Sequence, residues 1–453
     1  MKKTLMLMAL VASVNAYGGS IDYLAQQDAE YFAHPSMIGK IGTSGAFYNP
    51  AGTVFMEDGT YFKVNAQTIF KDYTMNTDYK GITGITDSVK DSHSSDYPSP
   101  MVPSFQFVKK DGDRSYFAHA GIAAGGGTVK YDNGISAFEV IGEGIEAAFK
   151  KKFGLLDGNV NALGIEAKYL GGTTVEGSSF YYNINFGMAQ KLNEKFSVAG
   201  GIRLIYATRA LEGTGNFELD LTSVDKGKHD VKVSLDAERE AYGIGGVIGF
   251  NYKPTDRLNI GFKYETEVEL DFEAKKGQNG ISVKSSPANI VAGGIAEELR
   301  KELVIREWLE DGNRNLPAMM ALGISYDMTD RLTLLASGNY YFIEQANEDH
   351  AYDNYTNGYE ASIGFDYKLN EKYTLMAGYQ YTNTGSNEGT YKDTDYALDA
   401  HMYCVGMSYS PNETRKYTLS YGFVDYQDGT SSDTGTTFEK TVHTIGMSAE
   451  FKL

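Results

Sequence analysis

The sequence predicts an all-β fold, a transmembrane antiparallel β-barrel of about 14 strands with an N-terminal hatch plugging the lumen. Three observations predict it. Apolar and polar residues alternate with period two from about residue 60 to the end. The chain opens with an export signature. Its composition, 34 Tyr, 23 Phe and 51 Gly against 9 Pro and one Trp, suits many strands with aromatic girdles. A mean hydropathy of -0.35 is no objection, because every second residue of a barrel strand faces the lumen.

The export signature comes first in the chain. Lys2 and Lys3 precede an apolar core from Leu5 to Val14, and Val14 and Ala16 give the small-residue cleavage pattern. Residues 1–16 are therefore expected to be a signal peptide, residues 17–59 the hatch and residues 60–453 the barrel. No apolar run approaches the roughly 20 residues that a membrane-spanning helix needs. The single cysteine, Cys404, allows no intramolecular disulfide and has the parity of a small inward packing residue. Together these place the chain in the outer membrane of a Gram-negative cell. A net charge of -18 argues against nucleic acid as a partner and fits solvated acidic loops.

The alternation can be read strand by strand. Phe62, Val64, Ala66 and Phe70 oppose Lys63, Asn65 and Gln67. Phe196, Val198, Ile202, Leu204 and Tyr206 oppose Ser197, Ala199, Arg203 and Ala207. Tyr359, Ala361, Ile363 and Phe365 oppose Glu360, Ser362 and Asp366, and Tyr403, Val405 and Met407 oppose Met402, Cys404 and Ser408. Leu258 to Asp271 reads as one strand: Leu258, Ile260, Phe262, Tyr264, Val268 and Leu270 face lipid, and Lys263, Glu265, Glu267, Glu269 and Asp271 face a wet lumen.

Short polar turns at 191–195, 253–256, 328–330, 369–372 and 411–413 suit the periplasmic end. Segments 135–153 and 295–309 show helical spacing, as of short helices over the barrel mouth. In the last strand His443, Ile445, Met447, Ala449, Phe451 and Leu453 share one face. Thr444, Gly446, Ala449 and Phe451 resemble the closing signal read by outer-membrane assembly machinery, with Leu453 in place of a terminal aromatic residue.

Residues 17–59 lack sustained alternation, and a barrel of this size has a lumen too wide for side chains to fill. The segment is expected to fold back into it. Its Asn49-Pro50-Ala51-Gly52 stretch predicts a compact turn, with Pro50 fixing φ and Gly52 permitting φ > 0. Gly125-Gly126-Gly127, within a third strand from about Ser115 to Tyr131, reads either as a Gly-rich strand end or as a bulge or break.

These pieces carry a family resemblance. The Asn49 to Gly52 turn ahead of the first strand resembles the hatch of the FadL-type family of outer-membrane transporters for long-chain fatty acids and other hydrophobic compounds. Val102 to Val108 resembles that family's second strand, Phe180 to Gly213 its fourth and fifth, Tyr242 to Phe272 the next hairpin, and Asn315-Leu316-Pro317 the opening of its eighth strand. The resemblance implies capture of hydrophobic ligands from outside and sideways release through a kink in the third strand, here Gly125 to Gly127.

A fatty acid carboxylate needs one or two cations, and Arg203 and Arg209 on the fifth strand and Lys263 on the seventh have inward parity. Tyr206-Ala207 is followed by Thr208 rather than by an Arg, so Arg209 is displaced by one residue from the family pattern. For Arg203 and Lys263 an ion pair with Glu265 or Glu267 is the competing role. A channel for aromatic hydrocarbons would need no cation. A general porin, or a surface adhesin with loops at 76–97 and 385–397, could be built on the same alternating wall. Gly-x-Ser-x-Gly and His-Glu-x-x-His are missing, and His119, His350, His401 and His443 are scattered, so neither catalytic residues nor a metal or cofactor is expected. The expected partners are a hydrophobic substrate, outer-membrane lipid, lipopolysaccharide and the assembly machinery, around a monomer whose outer faces look uniformly lipid-like.

Overall fold

A computed structural model describes residues 28–80, 88–135, 166–220, 222, 227–286, 309–346, 353–392, 396–432 and 434–453. The export segment, the first residues of the hatch and almost all of segments 135–153 and 295–309 lie outside the described residues.

Fourteen antiparallel strands build the wall: β1 Gly59–Tyr79, β2 Ser99–Asp111, β3 Arg114–Tyr131, β4 Glu166–Asn193, β5 Phe196–Asp220, β6 Lys228–Thr255, β7 Leu258–Glu265, β8 Met319–Asp327, β9 Leu332–Tyr341, β10 Gly358–Lys368, β11 Tyr373–Asn383, β12 Ala400–Asn412, β13 Arg415–Tyr426 and β14 Thr437–Lys452. Each pairs with its neighbour in sequence. The ring closes where β14 pairs with β1, from Tyr61↔Lys452 to Asn76↔Thr437. Closure removes the free edges that a lipid-embedded sheet cannot tolerate.

Side-chain chemistry is inverted relative to a water-soluble sheet. Leu322, Ile324, Ile363, Val405, Leu419 and Met447 stand exposed on the outside. Lys63, Gln106, Arg203, Asn251 and Asn259 are buried on the inside. Such a wall is stable only with hydrocarbon around it, which favours each large apolar side chain by ~1.5–3 kcal/mol over water. Tyr326, Tyr367, Tyr373 and Tyr417 lie outward near the short turns, and Tyr373 stacks on Tyr409 at 4.9 Å as part of a girdle. Among the described residues no helix is long and apolar enough to cross a membrane.

The wall departs from the sequence reading in three places. Leu258 to Asp271 is not one strand: β7 stops at Glu265, and the chain leaves the ladder before a single bridge from Val268 to Leu316. Parity reverses across the break, so Val268 and Leu270 are fully buried inside with Phe272 instead of facing lipid. The region 76–97 is not all loop, because residues from Tyr73 to Tyr79 of β1 pair with a short strand, Val89–Ser95. Finally, β4, β5 and β6 run to 28, 25 and 28 residues, far beyond the pieces of roughly 10–15 read from alternation.

Candidate functional site

Inside the ring lies the chain from Asp28 to Asp58, mostly buried. Gly45–Tyr48 makes one helical turn and Pro50–Phe55 a 3-10 helix. Asn49 caps the latter. Its side-chain oxygen accepts from the Gly52 N–H at 3.1 Å, and its amide donates to Asn251 of β6 at 2.8 Å. Asn251 donates on to Asn259 of β7 at 2.7 Å, and Asn259 donates to the Gly39 carbonyl at 2.7 Å. Ser197 of β5 donates to the Ala51 carbonyl at 2.6 Å. The turn is compact as expected, with Pro50 at the first helical position. The expectation of positive φ at Gly52 fails, since the residue sits within the 3-10 helix. Glycine is required by proximity instead: a Cβ there would lie 2.5 Å from the Asn49 amide nitrogen.

The same logic repeats around the wall. A Cβ on Gly446 of β14 would meet the Ala29 backbone at 3.1 Å, on Gly406 of β12 the Ala33 side chain at 2.4 Å, on Gly378 of β11 Pro35 at 2.7 Å, and on Gly323 of β8 the Gly39 nitrogen at 2.7 Å. Residues 29–39 thus run around the inner circumference in a track of glycines, one strand after another, where only a missing side chain lets two backbones approach.

Charges fasten this track. Lys63 of β1 holds Asp28 at 2.8 Å and Glu30 at 3.1 Å with both ends buried. Glu30 also pairs with Lys40 at 3.0 Å and with Lys416 of β13. Lys40 and His34 both reach Asp366 of β10, at 2.9 and 3.0 Å. Burial pushes the Glu30 carboxyl up, but Lys40, Lys416 and Lys63 together hold it well below the usual carboxylate range. Burial also raises Asp28, and Lys63 outweighs it, so this carboxyl too is lowered. Burial depresses the Lys40 ammonium, yet Asp366 and Glu30 raise it above the usual lysine range. Asp366 thus ties β10 to the inner segment.

The three cations singled out in the sequence separate into two places. Arg203 lies 3.0 Å and Lys263 2.8 Å from Glu265; Lys263 also donates to the Phe47 carbonyl at 3.0 Å and sits 4.2 Å over its ring. Arg209, six residues along β5 from Arg203, is elsewhere. Its guanidinium lies 5.8 Å from the Phe272 ring centroid, and that of Arg239 of β6 lies 5.5 Å from the same ring. Phe272 belongs to a buried apolar cluster with Tyr181, Ile205, Leu270 and Leu316.

Gly125 and Gly127 take φ of +101° and +72°, and the pairing of β3 with β4 shifts register between Ile122 and Ala124 and again between Ala124 and Gly127. The other side of β3 pairs with β2 only as far as Phe105↔Ala120. Beyond that point the ladder between β2 and β3 ends, while β2 from Ser99 to Ser104 goes on pairing with β1. Pro100 and Pro103 lie in this stretch, where missing N–H donors cost least. Lys71 donates to the Thr128 carbonyl at 2.6 Å and the Lys130 N–H donates to Ser95 at 3.2 Å, framing a window between β2 and β3. A cavity of about 170 Å³ reaches it. Val102, Ile122 and Phe180 line its wall end; Tyr31, Met402 and Tyr426 line its inner end. Phe180 stacks on outward-facing Tyr182, 6.1 Å away, so the cavity borders the lipid side.

The ion cluster of Asp28, Glu30, Lys40 and Lys63 was not singled out from the sequence. Its only local signal was the inward parity of Lys63. Arg239 likewise escaped, although it faces Arg209 across β5 and β6.

The sequence model of the outer membrane protein transport protein family (OMPP1/FadL/TodX) matches residues 164–451. Outer membrane protein P1 of Haemophilus influenzae is 26% identical over 271 residues, covering 53% of this chain and 55% of that protein. The match thus spans little more than half the length of that relative. Among solved structures, a FadL homologue of Pseudomonas aeruginosa aligns over 95% of this chain and 99% of its own with a TM-score of 0.64 at 14% identity. The toluene transporter TodX of P. putida aligns over 91% and 94% with a TM-score of 0.58 at 14% identity. At these identities the structural likeness is one of fold.

Proposed function

The chain belongs to the outer membrane protein transport family of OMPP1, FadL and TodX, and from that premise we propose that it is a passive uptake channel for hydrophobic compounds, long-chain fatty acids first among them. The ligand is captured at the outer face, residues 17–59 act as the hatch, and the ligand leaves sideways between β2 and β3. The observation that carries this reading is the cavity that begins among Tyr31, Met402 and Tyr426 and ends at Val102, Ile122 and Phe180, beside the point where the β2–β3 ladder ends. None of Asp28, Glu30, Lys40 and Lys63 lines that cavity. A general porin needs an open polar lumen, and here the lumen holds the buried segment from Asp28 to Asp58.

Of the head-group candidates, Arg209 is the one this reading favours, with Arg239 as its partner. Both arginines border an apolar cluster suited to a hydrocarbon chain, and Arg239 is oriented there by the Phe272 and Gly312 carbonyls, to which it donates at 3.4 and 3.1 Å. Two guanidinium groups fix a carboxylate by charge-assisted hydrogen bonds.

The test is uptake of labelled oleate and labelled toluene by an outer-membrane transport mutant, with and without this protein. Replacing Gly125 to Gly127 by valine blocks the break but strains positive φ, so Ile122→Trp, which fills the window from its rim, is the second variant. Oleate uptake that both variants abolish supports the reading. Toluene entry without oleate entry moves the substrate to aromatic hydrocarbons. Free passage of hydrophilic sugars, with no effect of either variant, overturns it in favour of a porin.

A further inference from the structure

Two lysines stand on the inner side of the window, and neither figures among the head-group candidates. Lys71 of β1 and Lys440 of β14 are both buried and both line the cavity. Register makes them diagonal neighbours, since Lys71 faces Val442 while Tyr73, two residues on, faces Lys440. Such a diagonal separates backbones by roughly 7–8 Å, close enough for two long side chains to reach one oxyanion. The Lys440 ammonium lies 4.3 Å from the Tyr426 ring centroid and 4.7 Å from that of Tyr73. The Lys71 ammonium donates to the Thr128 carbonyl, just beyond the glycine break. A carbonyl and two aromatic faces thus help to hold the two ammonium groups in place. On the far side of the cavity the Glu360 carboxylate is already bound by Asn339 and Gln380, each at 2.6 Å, and Tyr341 at 2.8 Å. It is turned toward those donors.

We propose that Lys71 and Lys440 form an anion subsite on the inner sill of the window, which takes the carboxylate of an amphiphilic ligand while its chain enters the opening between Val102 and Ile122. This rests on the lateral-release reading above and deepens it. Arg209 and Arg239 would then receive the head group on the way in, and the two lysines would hold it at the exit. The site discriminates by charge: a long-chain acid is drawn to the sill, whereas a neutral molecule of the same length crosses without it.

The experiment compares uptake of labelled oleate with labelled oleyl alcohol, which shares the chain and lacks the charge. It is run in an outer-membrane transport mutant carrying the wild-type protein, the Lys71→Met/Lys440→Met variant, the Lys440→Met variant or the Lys71→Arg/Lys440→Arg variant. Lys440→Met leaves the Lys71 to Thr128 bond intact, and the arginine pair keeps both charges. The oleate-to-alcohol uptake ratio is expected to fall about tenfold or more in the double methionine variant, to fall by a smaller factor in Lys440→Met, and to recover with arginine. An unchanged ratio overturns the proposal. So does an equal loss of both probes, which assigns the lysines to the window frame alone. If the wild-type protein admits neither probe, the channel reading itself fails and this inference goes with it.

Discussion

The side-chain amide of Asn49 donates to Asn251 at 2.8 Å, and this contact joins the tightest turn of the inner segment to the β6 wall. The same residue caps the Pro50–Phe55 helix. Asn49→Ala removes both roles and is expected to cost about 1–2 kcal/mol locally. The expected result is more frequent opening events in planar-bilayer recordings with an unchanged barrel. Recordings indistinguishable from wild type would show that the turn does not anchor the segment.

Filling the glycine track from the wall side acts on the same segment. Gly406→Val drives a side chain into Ala33, while Gly200→Val adds one where nothing lies within 4 Å. Overpacking of the first kind costs about 1–3 kcal/mol. Gly406→Val is expected to expose residues 28–40 to added protease and Gly200→Val to leave them protected. Equal protection in both variants would contradict the close approach.

Acid should loosen the segment over a definite range. Asp28 and Glu30 are held below their ordinary values when docked, and free carboxylates titrate at about 3.9 and 4.3. Their contribution is therefore complete above roughly pH 5 and is lost as pH falls through the lowered docked values. Channel conductance is expected to stay flat from pH 7 to about pH 5 and to rise in stronger acid. Lys63→Met removes the cation that the two carboxylates share, leaving Glu30 with Lys40 and Lys416, so the rise should begin at higher pH, chiefly through Asp28. A wild-type profile that begins to rise near neutrality would exclude these two groups.

Arg209→Met with Arg239→Met tests the head-group assignment. Binding of oleate to the purified protein is expected to weaken by about ten- to a hundredfold, as for loss of charge-assisted bonds, with toluene binding little changed. Equal weakening of both ligands would point instead to collapse of the packing around Phe272.

Deletion of residues 17–52 addresses the hatch as a whole. Ion conductance should rise many-fold, because the deletion removes most of the buried segment that the lumen holds. A small change would mean that the wall strands alone set the aperture.

Much of the wall was legible because a barrel strand repeats one rule, outward apolar and inward polar, and each strand repeats it independently. Phe62 to Gln67 and Tyr359 to Phe365 obey it throughout. The rule fails where the chain leaves the ladder without ceasing to alternate: Tyr264 and Val268 fit one period on paper, yet the break after Glu265 turns Val268 inward. The site was less legible. Lys63 and Asp28 are 35 positions apart and Lys416 and Glu30 are 386 apart, and no local pattern marks partners so distant. At Gly52 the sequence shows that a side chain is missing but not that the Asn49 amide is the neighbour that forbids it.

Unequal strand lengths have a consequence of their own. Strands of about 9–11 residues suffice to cross the hydrocarbon layer, and β8 to β11 have 9, 10, 11 and 11. β4 and β6, with 28 each, extend beyond the end opposite the short turns by roughly 40–50 Å, at 3.3 Å per residue and the usual tilt. Among the described residues the rim is a parapet on one flank and a threshold on the other. Molecules that reach the mouth from outside meet a barrier or an entrance depending on the side from which they come, so the mouth has a front and a back.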